Sequence, residues 1–107
     1  MSRLDLNIDN GQIEQPIKPA VRLSTPCYAE NGSLAGIIVI NYLADDVLNE
    51  LTATAQSNLG FAFLLNSDGY WIINSANPET EWAFMYEGME DETFAAKYPD
   101  AWEVMAQ

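Results

Sequence analysis

The stretch Phe61-Ala62-Phe63-Leu64-Leu65-Asn66-Ser67-Asp68-Gly69-Tyr70-Trp71-Ile72-Ile73-Asn74 decides how this chain is read. Two short apolar, aromatic-rich runs flank Asn66-Ser67-Asp68-Gly69. Asp68-Gly69 is a strong tight-turn signal, because glycine accepts the positive φ that β-branched and aromatic neighbours resist. The runs themselves have the composition of strands. Residues 61–74 therefore read as a β-hairpin.

Upstream, residues 45–57 have helical spacing. Val47, Leu48 and Leu51 form an apolar stripe that Ala55 extends. Asp45 and Asp46 stand at its start, where carboxylates complement the helix dipole, and Gly60 closes the segment. Residues 20–25 read as a strand, with Val21, Leu23 and Thr25 on one face and Arg22 and Ser24 on the other. Asn31-Gly32 is a second hairpin signal. Residues 36–43 read as a buried central strand, since Ile37, Ile38, Val39 and Ile40 are apolar on both faces. Residues 1–19 read as irregular, with a turn at Asn10-Gly11 and with Pro16 and Pro19 opposing regular pairing.

Downstream, Asn77-Pro78 starts a turn. Residues 79–92 read as an acidic loop anchored inward by Trp82, Phe84 and Met85. A short turn then precedes a helix beginning near Asp100, with Pro99 at its first turn. The expected fold class is α+β, an antiparallel sheet with flanking helices in the order β-β-α-β-β-α. An isolated hairpin is marginal in water. Residues 20–43 and 61–74 are therefore expected to share one sheet, with the 45–57 helix packed on it.

The chain has 107 residues, enough for one small domain with a single core. A hydrophobic fraction of 49% supports a folded globular state. The net charge of -12 argues against nucleic acid, which demands Lys and Arg to neutralise phosphate, and against anionic membrane surfaces. With no His, the usual neutral-pH base and commonest metal ligand are missing. Ser24 and Ser67 thus have no partner for a serine triad, and Cys27 has none for a thiolate. As the single Cys, Cys27 forms no internal disulfide and reads as a small half-buried hydrophobe. The run Glu87-Gly88-Met89-Glu90-Asp91-Glu92 lacks the spacing of a calcium loop and reads as a solvated acidic loop. No metal, cofactor or catalytic residue is expected.

The longest apolar run, residues 35–40, falls short of a membrane span, and the N-terminus has no signal-peptide core. The chain is thus expected to be cytosolic or a soluble piece of something larger. Among the aromatics Tyr28, Tyr42, Tyr70, Trp71, Trp82 and Trp102, core packing is the commoner role, and lining a small-molecule pocket is the alternative. Arg22 sits in a strand of an acidic protein. It is either an anchor for a ligand carboxylate or the partner of a nearby Asp or Glu.

Three segments together resemble the double Cache (PAS-like) sensor domains of bacterial transmembrane receptors. Arg22-Leu23-Ser24-Thr25-Pro26-Cys27-Tyr28, Asn31-Gly32 and Gly36-Ile37-Ile38-Val39-Ile40-Asn41-Tyr42-Leu43 look like the last strand pair of a membrane-distal module. Residues 45–57 resemble the linker helix. Residues 61–74 with Glu81-Trp82-Ala83-Phe84-Met85 look like the start of the membrane-proximal module, and Leu6-Asn7-Ile8-Asp9-Asn10-Gly11-Gln12-Ile13-Glu14 also fits. The resemblance spans nearly the whole chain. Residues 1–43 would close one module and residues 44–107 open the next, an out-of-phase fragment that together forms one small module.

The resemblance implies a non-catalytic, ligand-binding sensor outside the inner membrane, in the periplasm. Its outputs would be histidine kinases, diguanylate cyclases or chemoreceptors. The candidate ligand-binding residues are Arg22, as a carboxylate anchor, the aromatics Tyr28, Tyr42 and Trp71, and Asn41, which the resemblance implies. Asn41 stands where amino-acid-sensing members carry Asp. An amide hydrogen-bonds a ligand but cannot neutralise an ammonium, which disfavours amino acids. The alternative function is an acidic protein-interaction or dimerisation domain without a small-molecule ligand. A chain holding the end of one sheet and the start of another is expected to leave a strand edge unpaired. The charge-free residues 36–43 are the best candidate, and a homodimer is the expected result.

Overall fold

The computed structural model describes residues 1–58 and 60–107. It divides into two compact units, Met1–Asp45 and Asp46–Gln107. The first is built from five strands: β1 (Asp5–Leu6), β2 (Ile8–Asp9), β3 (Gln12–Ile13), β4 (Pro19–Tyr28) and β5 (Leu34–Leu43). Asn10 and Gly11, both at positive φ (52° and 78°), form the two-residue turn that joins β2 to β3. Positive φ at both turn positions matches the right-handed twist of the flanking strands, so Asn-Gly serves best there. The segment expected to be irregular thus carries three short strands. Two residues apiece are too short to leave a hydrophobic alternation in the sequence.

β4 lies between β1 and β5, all antiparallel. Pro19 opens β4 opposite Leu6, the position where a strand tolerates a missing N–H. Leu6 and Ala20 are fully buried and Ala44 nearly so, forming the small core of this unit. At the far end Asn31 accepts from both the backbone N–H and the hydroxyl of Ser33, and Gly32 takes φ 85° to turn β4 into β5.

β5 corrects the sequence reading in one respect. It is an edge strand and not a central one, and all ten of its residues are exposed, with Ile37 at 64% and Val39 at 57%. Periodicity reports that a strand is apolar on both faces. It does not report what covers those faces.

The second unit begins with α1 (Asp45–Ser57), which carries no buried residue. Its stripe is only half-hidden at Leu48, while Val47 and Leu51 are exposed. After it come β6 (Phe63–Leu65) and β7 (Trp71–Asn74), a separate two-stranded sheet. The expectation of one sheet shared by both hairpins is therefore overturned. Each hairpin finds other neighbours: β4 pairs β1, and β7 is walled by the chain that follows it. Every residue of β7 is buried, including Trp71, Ile72 and Ile73.

That covering chain contains two single 3-10 turns, at Pro78–Thr80 and Ala83–Met85, then α2 (Phe94–Lys97) and α3 (Pro99–Met105). Pro99 occupies the first turn of α3, as its fixed φ and absent N–H favour. α1 and α3 lie where the sequence placed helix, α2 stands where a short turn was expected, and the order β-β-α-β-β-α survives within a longer list of elements. The fold class is α+β.

Candidate functional site

Of the five residues singled out for ligand binding, Arg22 and Asn41 face each other directly across β4 and β5. Tyr42 pairs with Val21 one step along, on the opposite face, and Tyr28 pairs with Leu34 at the distant end of the ribbon. Trp71 belongs to the second unit. These residues therefore do not assemble into one described site.

Arg22 has its own partners. Its guanidinium donates to Asp5 Oδ1 at 2.9 Å and to Asn7 Oδ1 at 3.3 Å. The amide of Asn7 donates in turn to Glu14, which also receives the Lys18 ammonium at 2.8 Å. The Lys18 ammonium, and after it the Asn7 amide, hold the Glu14 carboxyl below its ordinary range. This chain of five polar side chains ties the N-terminal segment to β4 and occupies two of the four basic residues. Half-exposed ion pairs of this kind add little net stability, so the network orients more than it stabilises.

The second unit holds a cavity. Its volume is about 70 Å³, and Trp71, Phe63, Phe94 and Tyr98 supply its aromatic wall. Lys97, Asn74 and Asn77 supply polar groups. The hairpin turn builds the wall. Asn66 Oδ1 accepts from the N–H groups of Asp68 and Tyr70, both at 3.0 Å, and the Asn66 carbonyl accepts from Gly69 at 3.1 Å. Gly69 takes φ 83° and presents its carbonyl to the N–H of Phe94 at 2.9 Å. That bond lays the start of α2 on the hairpin tip.

Thr93 caps α2 by accepting from the N–H of Ala96 at 2.9 Å. One helical turn then carries Phe94, Lys97 and Tyr98 on a common side, because residues three and four apart are neighbours. The Phe94 ring stands nearly perpendicular to that of Trp71, with centres 6.1 Å apart, and tilted to that of Tyr98, with centres 5.1 Å apart. The Lys97 ammonium lies 5.6 Å from the centre of the Tyr98 ring. Trp71 is 3% exposed, and its indole Nε1 is buried with no hydrogen-bond partner among the described residues.

Behind this wall the chain is held by buried polar bonds. Asn74 donates from its side chain to Thr80 and from its backbone to Glu81 Oε2 at 2.7 Å. Burial pushes the Glu81 carboxyl above its ordinary value, against the opposing pull of that N–H. Trp82, next in sequence, sits at φ 63° and donates its N–H to the Trp71 carbonyl at 2.9 Å. A bulky residue rarely adopts this conformation, and the nearly complete burial of its ring holds it there.

Sequence reasoning found Trp71 but not Phe63, Asn77, Phe94, Lys97 or Tyr98. The one available signal was the spacing of Phe94, Lys97 and Tyr98, too short a run to stand out as a helical face. Among the described residues, no group of three or more His, Cys, Asp or Glu is placed to hold a metal ion. No helix among them is long and apolar enough to cross a membrane.

The sequence profile of the bacterial histidine kinase sensor domain matches residues 1–107. The chain belongs to that family. Two solved structures are similar to this sensor domain. One is a domain assigned to a sensory box/GGDEF family protein from Vibrio parahaemolyticus, with a TM-score of 0.77 and 21% identity over 96% of this chain and 38% of the other. The other is the extracellular domain assigned to the histidine kinase vpHK1S-Z8, with a TM-score of 0.75 and 20% identity over 96% of this chain and 36% of the other. At that identity they speak for the fold. The sensor domain spans little more than a third of either neighbour's length. No curated protein sequence matches it. The family bears out the sensor-domain resemblance, and with it a sensory module of the histidine kinase kind.

Proposed function

We propose that this sensor domain is the ligand-reading part of a bacterial transmembrane receptor, standing in the periplasm outside the inner membrane and performing no chemistry itself. The observation that carries this reading is the aromatic-walled cavity of the second unit, with Lys97 and two amides at its wall. Ligand sites are concave, mostly apolar and furnished with a few polar groups that fix orientation. No nucleophile–base pair accompanies it, since a chain without His offers no ordinary activating base. The test is to express the intact receptor in its host and treat spheroplasts with an impermeant protease. Cleavage within residues 1–107 before lysis supports the periplasmic assignment, and protection until lysis overturns it. A ligand that raises the Tm of the domain and alters kinase or cyclase output supports the sensory role.

A second reading, which adds to the first, is favoured by β5. We infer that two copies of this chain pair through this strand. β5 is ten residues long, uncharged and exposed along its edge. In a two-fold antiparallel arrangement a strand meets itself, so its Ile- and Val-rich centre would face the same residues of its partner, and no like charges would be opposed. The charge of -12 per chain repels at a distance, so added salt should strengthen the pair.

A further inference from the structure

We propose that Asn10 is a site of spontaneous covalent modification, at which the chain converts its own side-chain amide into a cyclic imide and then into aspartate or isoaspartate. Asn31, in the same Asn-Gly dipeptide, is kept unreactive by the fold.

The chemistry needs only the chain and water. The Gly11 nitrogen gives its proton to hydroxide and adds to Asn10 Cγ, forming a new C–N bond. The Cγ–Nδ2 bond then breaks, and ammonia leaves with a proton taken from water, which restores the hydroxide. Water opens the resulting ring at either carbonyl. One opening leaves aspartate. The other leaves isoaspartate, in which the backbone runs through the side chain and is longer by a carbon. Glycine after asparagine favours the attack, because no Cβ crowds the nitrogen.

Both Asn-Gly pairs stand in exposed hairpin turns. Their surroundings differ. At the second, the Gly32 N–H donates to the Ala29 carbonyl at 2.9 Å, so the attacking nitrogen is already committed. The Asn31 side-chain oxygen accepts from the Ser33 N–H at 3.0 Å and from the Ser33 hydroxyl at 2.6 Å, which fixes the amide as well. The Ala29 N–H closes the loop on the Ser33 carbonyl at 2.8 Å. None of these constraints exists at the first turn. Among the described residues, no hydrogen bond holds the Asn10 side chain or the Gly11 N–H. A Cβ placed on Gly11 would meet nothing within 4 Å, so the ring has room to form.

The backbone also favours Asn10. Its φ of 52° and the 78° of Gly11 are those of a type I′ turn. Rotating the Asn10–Gly11 peptide plane gives a type II′ turn, the other common two-residue hairpin turn, and Gly11 accepts either sign of φ. In that form φ of Asn10 is unchanged and its ψ is about −120°, which swings the Gly11 nitrogen beneath Cβ, within reach of Cγ. At Asn31 the same rotation breaks the bond from Gly32 to Ala29. The isoaspartate product no longer fits a two-residue turn, so the pairing of Asp9 with Gln12 is lost with it.

The test ages the purified domain at mildly alkaline pH, alongside the same chain unfolded in guanidinium. Both sites are followed by peptide mass spectrometry, with electron-transfer fragmentation to tell isoaspartate from aspartate. In guanidinium the two sites should react alike. In the folded chain Asn31 should trail Asn10 by at least about tenfold, the factor for breaking a further hydrogen bond. Loss at Asn10 should release ammonia and quicken as pH rises. Asn31 reacting as fast as Asn10 in the folded chain overturns the proposal, because the fold then makes no distinction. An Asn10 that keeps its amide in the folded chain and loses it in guanidinium also overturns it, since the turn is then closed to the attack.

Discussion

The backbone N–H of Phe94 donates to the carbonyl of Gly69 at 2.9 Å, so α2 is docked on the tip of a hairpin 25 residues earlier in the chain. The approach is close. A Cβ added at Gly69 would lie 2.8 Å from the Cβ of Ala95 and 3.4 Å from the Ala95 nitrogen. Gly69→Ala should therefore cost the left-handed φ penalty of about 1–2 kcal/mol and a displacement of α2 besides. Gly88 has a similar φ of 85° but open space around it, so Gly88→Ala isolates the backbone penalty. Denaturant unfolding of both variants should show the larger loss at Gly69. Equal losses would mean that the helix gives way freely.

Thr93 caps α2, and the helix is only four residues long. Thr93→Ala should destabilise the second unit by about 1 kcal/mol, as loss of an N-cap does, while Thr93→Ser should restore most of it. Near-ultraviolet circular dichroism of Trp71 and Phe94 reports the same change locally. No difference between the Ala and Ser variants would exclude the cap as the reason for a threonine there.

Glu81 gives the stability a pH dependence of unusual sign for a carboxylate. Burial raises its pKa above the ordinary 4.5, so the folded chain holds this proton more tightly than the unfolded one. Its contribution is fully present below that ordinary value and is lost as pH rises through the raised folded value. Glu14 has the reverse sign. Held down by Lys18 and Asn7, it contributes above the ordinary value and loses that contribution as pH falls through its lowered one. Carboxyl 13C NMR titration should place the Glu81 midpoint above 4.5 and the Glu14 midpoint below it. Glu81→Gln should flatten the fall in stability with rising pH.

The β5 edge makes a prediction about association. Ile38 is 51% exposed, so Ile38→Lys should leave the fold intact. A lysine on an exposed edge blocks pairing with another strand. Light scattering of the wild-type chain at micromolar concentration should show a dimer that salt strengthens, and the variant should remain monomeric. A wild-type mass independent of salt and concentration would remove the dimer.

What the sequence made legible follows from the range of the forces involved. The turns at Asn10-Gly11, Asn31-Gly32 and Ser67-Asp68-Gly69 were legible because each is decided within four or five residues. So was the start of α3 at Pro99. The burial of β5 was misread because Ile37 to Ile40 carry the same signature whether covered or bare. The division into two sheets was missed because β4 finds its second neighbour in β1, a strand of two residues that no pattern reveals. The polar network around Arg22 joins Asp5, Asn7, Glu14 and Lys18 through a fold of the N-terminal segment, and spacing alone does not bring them together. The cavity escaped for a related reason. Trp71 and Lys97 come to line one cavity because Gly69 admits α2 to the hairpin tip.

The ring of bonds around Asn66 also bears on how this molecule comes into being. Its side chain and carbonyl together gather the N–H groups of Asp68, Gly69 and Tyr70, so the tip needs no help from distant parts of the chain. Closing so short a loop forfeits little chain entropy, and hairpins of this kind form in about 1–10 μs. The pairing of Asp5 with Ala20 spans a longer stretch that itself contains a smaller hairpin. Order in the second unit should therefore start at residues 63–74. α2 would then arrive on a platform already standing, and the seat for Phe94 would exist before Phe94 reaches it.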